Sequence, residues 1–283
     1  MTRPATWRVQ HVETSAGPLF VRRREGSGVP LVLWPSIFFD HSLYLGLTEW
    51  LPNPMIMLDA PGHGRSQGCP DPLTLDLCAK AQEEVLRELE IPSAIAVGTS
   101  WGGLVAITHA LANPDHRVKG LILANTPFGM DKSPSLRTRL ILAMTRFIPG
   151  RALFRSGIAK AFFSPTTGVR HPEVIQNFLD QEETFDNPGL YTAIRSVLVE
   201  RPSLIPELGR LNMPVLVIAG EDDALLPVET LKKTSAAIPR HHFEVIPATG
   251  HISLAERPHE CSTRIRKWLA QHFAGGYAEA QQA

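Results

Sequence analysis

Short apolar runs recur along the chain and alternate with longer amphipathic stretches. Six of these runs are almost free of polar residues, as is typical of strands buried on both faces of a parallel sheet. They are VPLVLW (29–34), PMIMLDA (54–60), AIAVGT (94–99), VKGLILAN (118–125), PVLVIAG (214–220) and HFEVIPA (242–248). Ahead of them, TWRVQHVET and GPLFVRRREG are joined by a Gly-Pro turn and predict a β-hairpin. The pattern therefore predicts eight strands, most of them parallel.

Helical patterns separate most of the apolar runs. The stretch 73–90 places apolar residues on one face and charges on the other, and 228–238 and 258–273 have the same character. Strands that alternate with helices form a parallel sheet with helices on both faces. The sequence therefore predicts the α/β class.

One long stretch, 127–211, contains no buried-strand run. It shows only helical patterns, at 135–148, 172–183 and 190–200. The strand pattern resumes afterwards, so we expect a helical cap (127–211) inserted after the sixth strand. The core domain would then comprise 1–126 and 212–283, with the cap acting as a lid.

Composition and charge exclude several classes of protein. Of 283 residues, 43% are apolar, and 28 basic residues balance 28 acidic ones. This balance gives no footprint for nucleic acid and no polybasic membrane anchor. Three scattered cysteines are typical of reduced thiols, and we find neither a signal-peptide pattern nor an apolar run long enough to span a membrane. We expect a soluble, cytoplasmic protein with no nucleic-acid or membrane partner.

The pentapeptide Gly98-Thr99-Ser100-Trp101-Gly102 lies between a predicted buried strand and a predicted helix. In that context G-x-S-x-G indicates a nucleophile elbow, a sharp turn that exposes the serine oxygen at the carboxyl edge of the sheet. Glycines on both sides allow neighbouring segments to approach closely. The backbone N–H of Trp101, at the start of the helix, can point at a developing oxyanion.

A serine nucleophile needs a base that is held by an acid. Glu221-Asp222-Asp223 follows one predicted strand, and Thr249-Gly250-His251 follows the next. Both loops lie at the same sheet edge as Ser100 because the carboxyl ends of parallel strands meet there. Among eleven histidines, only His251 combines a strand end, a neighbouring glycine and a position after an acid.

The order Ser100, Asp223, His251, together with LDAPGHGRS (58–66) and GEDDALLP (220–227), resembles the α/β-hydrolase superfamily. The resemblance implies a serine hydrolase that needs no metal or organic cofactor. It also implies Asp223 as the acid, with Asp222 in reserve, since some relatives take the acid after the preceding strand but Ala124-Asn125-Thr126 has no carboxylate. Serine at the nucleophile position argues against haloalkane dehalogenases and epoxide hydrolases.

The segment VLWPSIFFDHSLY lacks the usual His-Gly of the superfamily and resembles 3-oxoadipate enol-lactonase-like hydrolases. The resemblance implies that Ser36 supplies the second oxyanion N–H beside Trp101. We also expect a substrate pocket lined by four apolar residues, Trp34, Ile37, Phe128 and Leu225. Core packing explains Trp34 equally well. His63 is expected to brace the site rather than to react.

The predicted reaction is hydrolysis of a carboxylic ester or lactone of a small, partly apolar molecule through an acyl-enzyme, with water as second substrate. Cleavage of a C–C bond in a vinylogous diketone (a meta-cleavage product) and a slow-turnover ligand receptor stay as alternatives, and a homodimer stays open. Arginines of the cap, such as Arg137, Arg139 and Arg146, are candidates for binding a substrate carboxylate. A solvated cationic helix face explains them more simply.

Overall fold

The computed structural model describes residues 6–112, 117–129, 160–181 and 187–279. Eight strands form one sheet in the order β1-β2-β4-β3-β5-β6-β7-β8. Their bounds are β1 Trp7–Val12, β2 Leu19–Arg24, β3 Leu31–Trp34, β4 Met55–Leu58, β5 Ala94–Thr99, β6 Val118–Ala124, β7 Val215–Gly220 and β8 His241–Ile246. Strands β3 to β8 run parallel, whereas β1 and β2 pair antiparallel with their neighbours. The predicted sheet and hairpin are confirmed.

Burial explains why the central strands read as unbroken apolar runs. Every residue of β3, β4, β5 and β7 is buried, so both faces of the sheet are covered at these strands. The last strand, β8, is only partly buried because it pairs with β7 alone. His241 and His242 are its first two residues, which keeps them at the end of the sheet opposite to His251.

Helices of the described residues are numbered here in chain order. They are α1 Leu75–Glu88, α2 Trp101–Ala112, α3 Pro165–Arg170, α4 Pro172–Gln181, α5 Asn187–Ile194, α6 Val228–Ser235, α7 Ser253–Glu256 and α8 Pro258–Glu279. A π-helical segment, Arg195–Glu200, continues α5, and 3₁₀ segments cover His41–Glu49 and Ile205–Arg210. Among the described residues, no helix is both long enough and apolar enough to cross a bilayer.

The described parts of the insertion between β6 and β7 contain the helices α3, α4 and α5 together with short irregular connections, and no strand occurs in those ranges. The predicted helix at 135–148 lies outside the described residues. The division into a core and a cap at 127–211 stays a prediction.

The strand register brings several loop starts to one edge of the sheet. Trp34 pairs with Gly98, Thr99 with Ala124 and Ala124 with Ile218. The carboxyl ends of β3, β5, β6 and β7 are therefore level with one another. This edge carries the residues that the sequence selected for chemistry, because open α/β sheets present their ligand sites there.

Candidate active site

Ser100 is the single residue between the end of β5 and the start of α2. Its φ is +53°, in the left-handed region that a residue with a Cβ rarely adopts. Its side chain is only half-buried, and its N–H donates to the carbonyl oxygen of Ala124 at 2.8 Å. The predicted strained turn is therefore present, and it holds the serine at the sheet edge.

Two glycines make this turn possible. A Cβ on Gly98 would lie 2.1 Å from the carbonyl carbon of Gly102, and a Cβ on Gly102 would lie 1.9 Å from the carbonyl oxygen of Trp34. Both separations are far below van der Waals contact. Only glycine at these positions allows α2 to begin directly against the ends of β3 and β5.

His251 and Asp223 form a buried pair. His251 Nδ1 lies 2.8 Å from Asp223 Oδ2, and both side chains are almost completely enclosed. The other carboxylate oxygen, Asp223 Oδ1, accepts the backbone N–H groups of Leu225 and Leu226 at 2.9 Å each. The carboxylate is thus fixed on both sides, and Nε2 is the ring nitrogen of His251 that does not face it.

The other two carboxylates of the same loop have different partners. Asp222 Oδ2 accepts a hydrogen bond from Ser164 Oγ at 2.7 Å, and Glu221 Oε2 accepts the N–H of Ala248 at 3.1 Å. Only Asp223 contacts His251 within this acidic triplet. The geometry therefore favours Asp223 over the reserve candidate Asp222.

Asn125 connects the serine side of the site with the histidine side. Its Nδ2 donates to Asp223 Oδ2 at 2.9 Å and to the carbonyl oxygen of Gly250 at 3.2 Å, while its Oδ1 accepts from Ser253 Oγ at 2.6 Å. The preceding residue, Ala124, accepts the Ser100 N–H. From the sequence we noted only that position 125 carries no carboxylate, and we did not predict these contacts. The feature that could have indicated them is an amide side chain at the end of a buried strand.

The backbone just before α3 lies directly against the histidine loop. The N–H of His251 donates to the carbonyl oxygen of Phe162 at 2.6 Å, and the two rings meet edge-to-face with centroids 5.3 Å apart. A Cβ on Gly250 would lie 2.6 Å from the same carbonyl oxygen. Gly250, the glycine before the histidine, therefore allows the backbone at Phe162 to pack directly against the histidine loop.

Glu256 joins the same two segments through its side chain. Its Oε1 accepts the N–H of Gly250 at 2.9 Å, and its Oε2 accepts the N–H of Ser164 at 2.9 Å and Oγ1–H of Thr167 at 2.5 Å. Burial raises the pKa of Glu256, and these donors counteract that shift. Sequence analysis did not single out Glu256.

The two predicted oxyanion donors lie at adjacent strand ends. Trp101 begins α2, and its indole is enclosed against that of Trp34, with centroids 6.0 Å apart. Ser36 follows β3 and is buried, and its carbonyl oxygen accepts the N–H of Phe39 at 3.2 Å. The donor roles of both N–H groups stay predictions.

The four predicted pocket residues have different exposures. Trp34, Ile37 and Phe128 are buried, at 0%, 5% and 1% exposed, whereas Leu225 is 48% exposed. Leu225 reaches the site through its backbone N–H to Asp223 rather than through a buried side chain. Arg137, Arg139 and Arg146 lie outside the described residues.

Two buried side chains brace the same edge. The hydroxyl of Tyr44 donates to the carbonyl oxygen of Trp34 at 2.5 Å and accepts the N–H of Thr99 at 3.2 Å, which ties the ends of β3 and β5 together. Burial raises the pKa of Tyr44 far above its ordinary value. His63 Nδ1 contacts the carbonyl oxygen of Pro61 at 3.0 Å, and burial lowers the pKa of His63, which favours its neutral ring.

Among the described residues, Asp40, His41 and Asp59 form the one cluster that could be considered for a metal, since their ligand atoms lie within 4.8 Å of one another. Asp59 Oδ1 accepts both the backbone N–H of His41 and its Nδ1 at 2.7 Å, and Oδ2 accepts the N–H of Arg65 at 2.8 Å. These donors already occupy both oxygens. The group acts as a clamp between two loops.

Comparison with known proteins agrees with this fold. The model of the alpha/beta hydrolase family matches residues 31–264. A 3-oxoadipate enol-lactonase of Acinetobacter baylyi is 28% identical over 232 residues, 79% of this chain and 84% of that protein. A poly(3-hydroxyalkanoate) depolymerase of Ectopseudomonas oleovorans is 26% identical over 277 residues, 96% of this chain and 95% of that protein.

Among solved structures, a thermophilic esterase from Thermogutta terrifontis superimposes with a TM-score of 0.85 at 26% sequence identity, covering 94% of this chain and 99% of that one. The chain belongs to the alpha/beta hydrolase family. It is an enzyme of the hydrolase class, with esterases and enol-lactonases among its relatives.

Proposed function

We propose that the protein hydrolyses a carboxylic ester or lactone through an acyl-enzyme on Ser100. The observation that carries this proposal is the 2.8 Å contact of His251 Nδ1 with Asp223 Oδ2, at the sheet edge where Ser100 has its strained φ of +53°. The names of similar proteins, an enol-lactonase at 28% identity and an esterase at 26%, support this bond class.

The first half-reaction acylates the serine. His251 Nε2 takes the proton of Ser100 Oγ as that oxygen attacks the substrate carbonyl carbon, and the C=O electron pair moves onto oxygen. The imidazolium then gives its proton to the leaving oxygen as the C–O bond breaks. Asp223 holds Nδ1–H and stabilises the positive ring, which fixes the tautomer that leaves Nε2 free to act as base.

Water completes the reaction by the same route. His251 takes one proton from water, the hydroxide oxygen attacks the acyl carbon, and Ser100 Oγ regains the proton as the acid leaves. The N–H groups of Trp101 and Ser36 are the proposed donors to the oxyanion in both halves. A preorganised donor of this kind is worth roughly 100- to 1,000-fold in rate.

Substitution of each proposed group tests the assignment with 4-nitrophenyl butyrate as substrate. We expect Ser100→Ala and Asp223→Asn each to lower kcat by at least about 1,000-fold. Asp222→Asn, in the neighbouring carboxylate, is the matched control and should retain most of the activity. Turnover that survives in Ser100→Ala, or is lost in Asp222→Asn rather than in Asp223→Asn, would contradict the proposed triad.

A substrate panel separates the proposal from the alternatives on the same fold. Esters, lactones and vinylogous diketones are compared at equal concentration, together with labelling by a fluorophosphonate probe. Faster cleavage of the diketone would indicate a C–C bond hydrolase. Stoichiometric labelling without turnover of any compound would indicate a ligand receptor.

A further inference from the structure

Arg201 is a cation without an anionic partner among the described residues. It follows the π-helical segment Arg195–Glu200, and its guanidinium is partly buried. Nη2 donates to the carbonyl oxygen of Pro127 at 2.7 Å, and Nη1 reaches the carbonyl oxygen of Pro202 at 3.3 Å. Nε is fully enclosed and has no hydrogen-bond partner among the residues that the structure describes.

The nearest carboxylate in sequence does not neutralise this group. Glu200 Oε1 lies 3.3 Å from Nε of Arg195, and Nη2 of Arg195 contacts Asp71, so both acids pair with Arg195. Burial lowers the pKa of Arg201 to about 10, which still leaves it charged at neutral pH. Removing a charge from water without a partner is costly, and buried cations are usually paired.

Arg117 shows the usual solution elsewhere in the same fold. Its Nε lies 2.7 Å from Glu83 Oε1, so this partly buried guanidinium faces a carboxylate. Within the described part of the chain, Arg201 instead meets only backbone carbonyl oxygens, and these satisfy two of its five N–H groups. Nη1 and Nη2 each keep one further N–H, and two such groups of a planar guanidinium are suited to a carboxylate.

The position of Arg201 connects it with the catalytic edge. Its acceptor, Pro127, is two residues after Asn125, which hydrogen-bonds Asp223. The next residue, Phe128, accepts the N–H of Leu204 at 2.8 Å, so the segment after Arg201 is bonded to the chain leaving β6. On its other side this chain is in contact with α2, since a Cβ on Gly103 would lie 1.9 Å from Thr126 Oγ1.

We propose that Arg201 forms an anion subsite that binds a carboxylate of the substrate, remote from the ester or lactone bond that is cleaved. The inference rests on the proposed function for the reaction and adds the substrate class, namely esters or lactones of acids that carry a second, free carboxylate. The substrate anion would supply the partner that the guanidinium lacks among the described residues.

Two esters that differ only in this charge provide the test. They are 4-nitrophenyl hydrogen adipate and its uncharged methyl ester, compared at constant ionic strength. We expect Arg201→Gln to lower kcat/KM for the charged ester by ~10- to 100-fold, mainly through KM, as loss of a charge-assisted hydrogen bond implies. Hydrolysis of the methyl ester should change less than about threefold, which also shows that the variant folds.

Arg195→Gln is the matched control, because it removes a cation of the same segment that already has acidic partners. Arg195→Gln should change kcat/KM for the two esters by equal factors. Arg201→Lys should recover part of the preference for the charged ester, since it restores the charge but not the planar fork. An equal loss for both esters in Arg201→Gln, or no loss for either, would overturn the proposal.

A binding measurement separates this inference from the proposed reaction. Monomethyl adipate is titrated calorimetrically into Ser100→Ala and into Ser100→Ala combined with Arg201→Gln, neither of which needs to turn over. Binding that is at least tenfold weaker in the double variant supports the anion subsite even if the wild-type enzyme hydrolyses neither ester. Equal binding of monomethyl adipate by the two variants contradicts it. Competition by inorganic phosphate, acetate and adipate that is equally strong in both variants also contradicts it.

Discussion

A single amide, Asn125, holds together the parts of the site that come from four different strands. It contacts the catalytic acid candidate and the histidine loop, and Ala124 beside it accepts the N–H of Ser100. Its φ of +48° lies in the left-handed region, which asparagine tolerates better than most residues. We therefore regard Asn125 as a positioning residue for Asp223 and His251.

Replacing Asn125 by alanine should separate positioning from plain stability. We expect Asn125→Ala to lower kcat about tenfold with KM little changed, because the acid loses a donor that fixes its orientation. The free energy of unfolding should fall by about 1–2 kcal/mol as buried partners lose their hydrogen bonds. Steady-state kinetics and thermal denaturation measure the two effects independently.

Asn53 offers a matched control for this substitution. It is completely buried, and its Nδ2 donates to the carbonyl oxygen of Val29 at 2.8 Å, but it lies before β4 and away from the catalytic edge. Asn53→Ala should reduce stability by a similar amount and leave kcat unchanged. If both variants lose kcat in proportion to their stability, Asn125 has no positioning role.

At the scale of elements, α3 and α7 are fastened to each other through Glu256. This carboxylate accepts donors from Ser164 and Thr167 on one side and from Gly250 on the other. Phe162 and His251 join the same segments through a backbone hydrogen bond and an edge-to-face contact of their rings. The segment that leads into α3 therefore sets the position of the histidine loop as well as covering it.

Glu256→Gln tests this connection. Both carboxylate oxygens face N–H or O–H donors, so a glutamine amide must turn its NH₂ toward one of them. We expect a loss of about 1–3 kcal/mol in unfolding free energy and a roughly tenfold fall in kcat as the histidine loop shifts. Glu244→Gln is the control, since Glu244 lies on the edge strand β8 and its carboxylate pairs only with Arg264, at 3.5 Å, among the described residues. Unchanged kcat in a destabilised Glu256→Gln would make the link purely structural.

Across the whole molecule, the predictable features are those set by burial and strand order. The central strands appear in the sequence as apolar runs because both faces are covered, and parallel order then brings the Ser100, Asp223 and His251 loops to one edge. The 3₁₀ segment His41–Glu49 was not predicted, since it depends on a cap, Asp40 Oδ1 accepting the N–H of Ser42 at 2.8 Å. Glu256 and Arg201 were not singled out because the contacts of Glu256 with Ser164 and Thr167, and of Arg201 with Pro127, join segments far apart in sequence.

Residues with a strained backbone lie mostly after the carboxyl ends of strands. Among the described residues, five that are not glycine have positive φ, and four of them follow carboxyl ends of strands: Phe38, Ser100, Asn125 and Ala248. Such conformations cost about 1–3 kcal/mol each and persist only where the surrounding fold enforces them. The fold as a whole therefore supports a strained edge at which the chemistry is proposed to occur.

Releasing the strain at Ser100 should make the protein more stable while removing its activity. Ser100→Gly eliminates the Cβ that disfavours φ of +53°, whereas Ser100→Ala keeps it. Glycine has greater freedom in the unfolded chain, which offsets part of this gain. We therefore expect the free energy of unfolding of Ser100→Gly to exceed that of Ser100→Ala by about 0.5–1 kcal/mol. For a chain of 283 residues this corresponds to a Tm higher by about 2 °C. Differential scanning calorimetry of the two inactive variants measures the difference directly, and a Ser100→Gly variant no more stable than Ser100→Ala would mean that the elbow stores no strain.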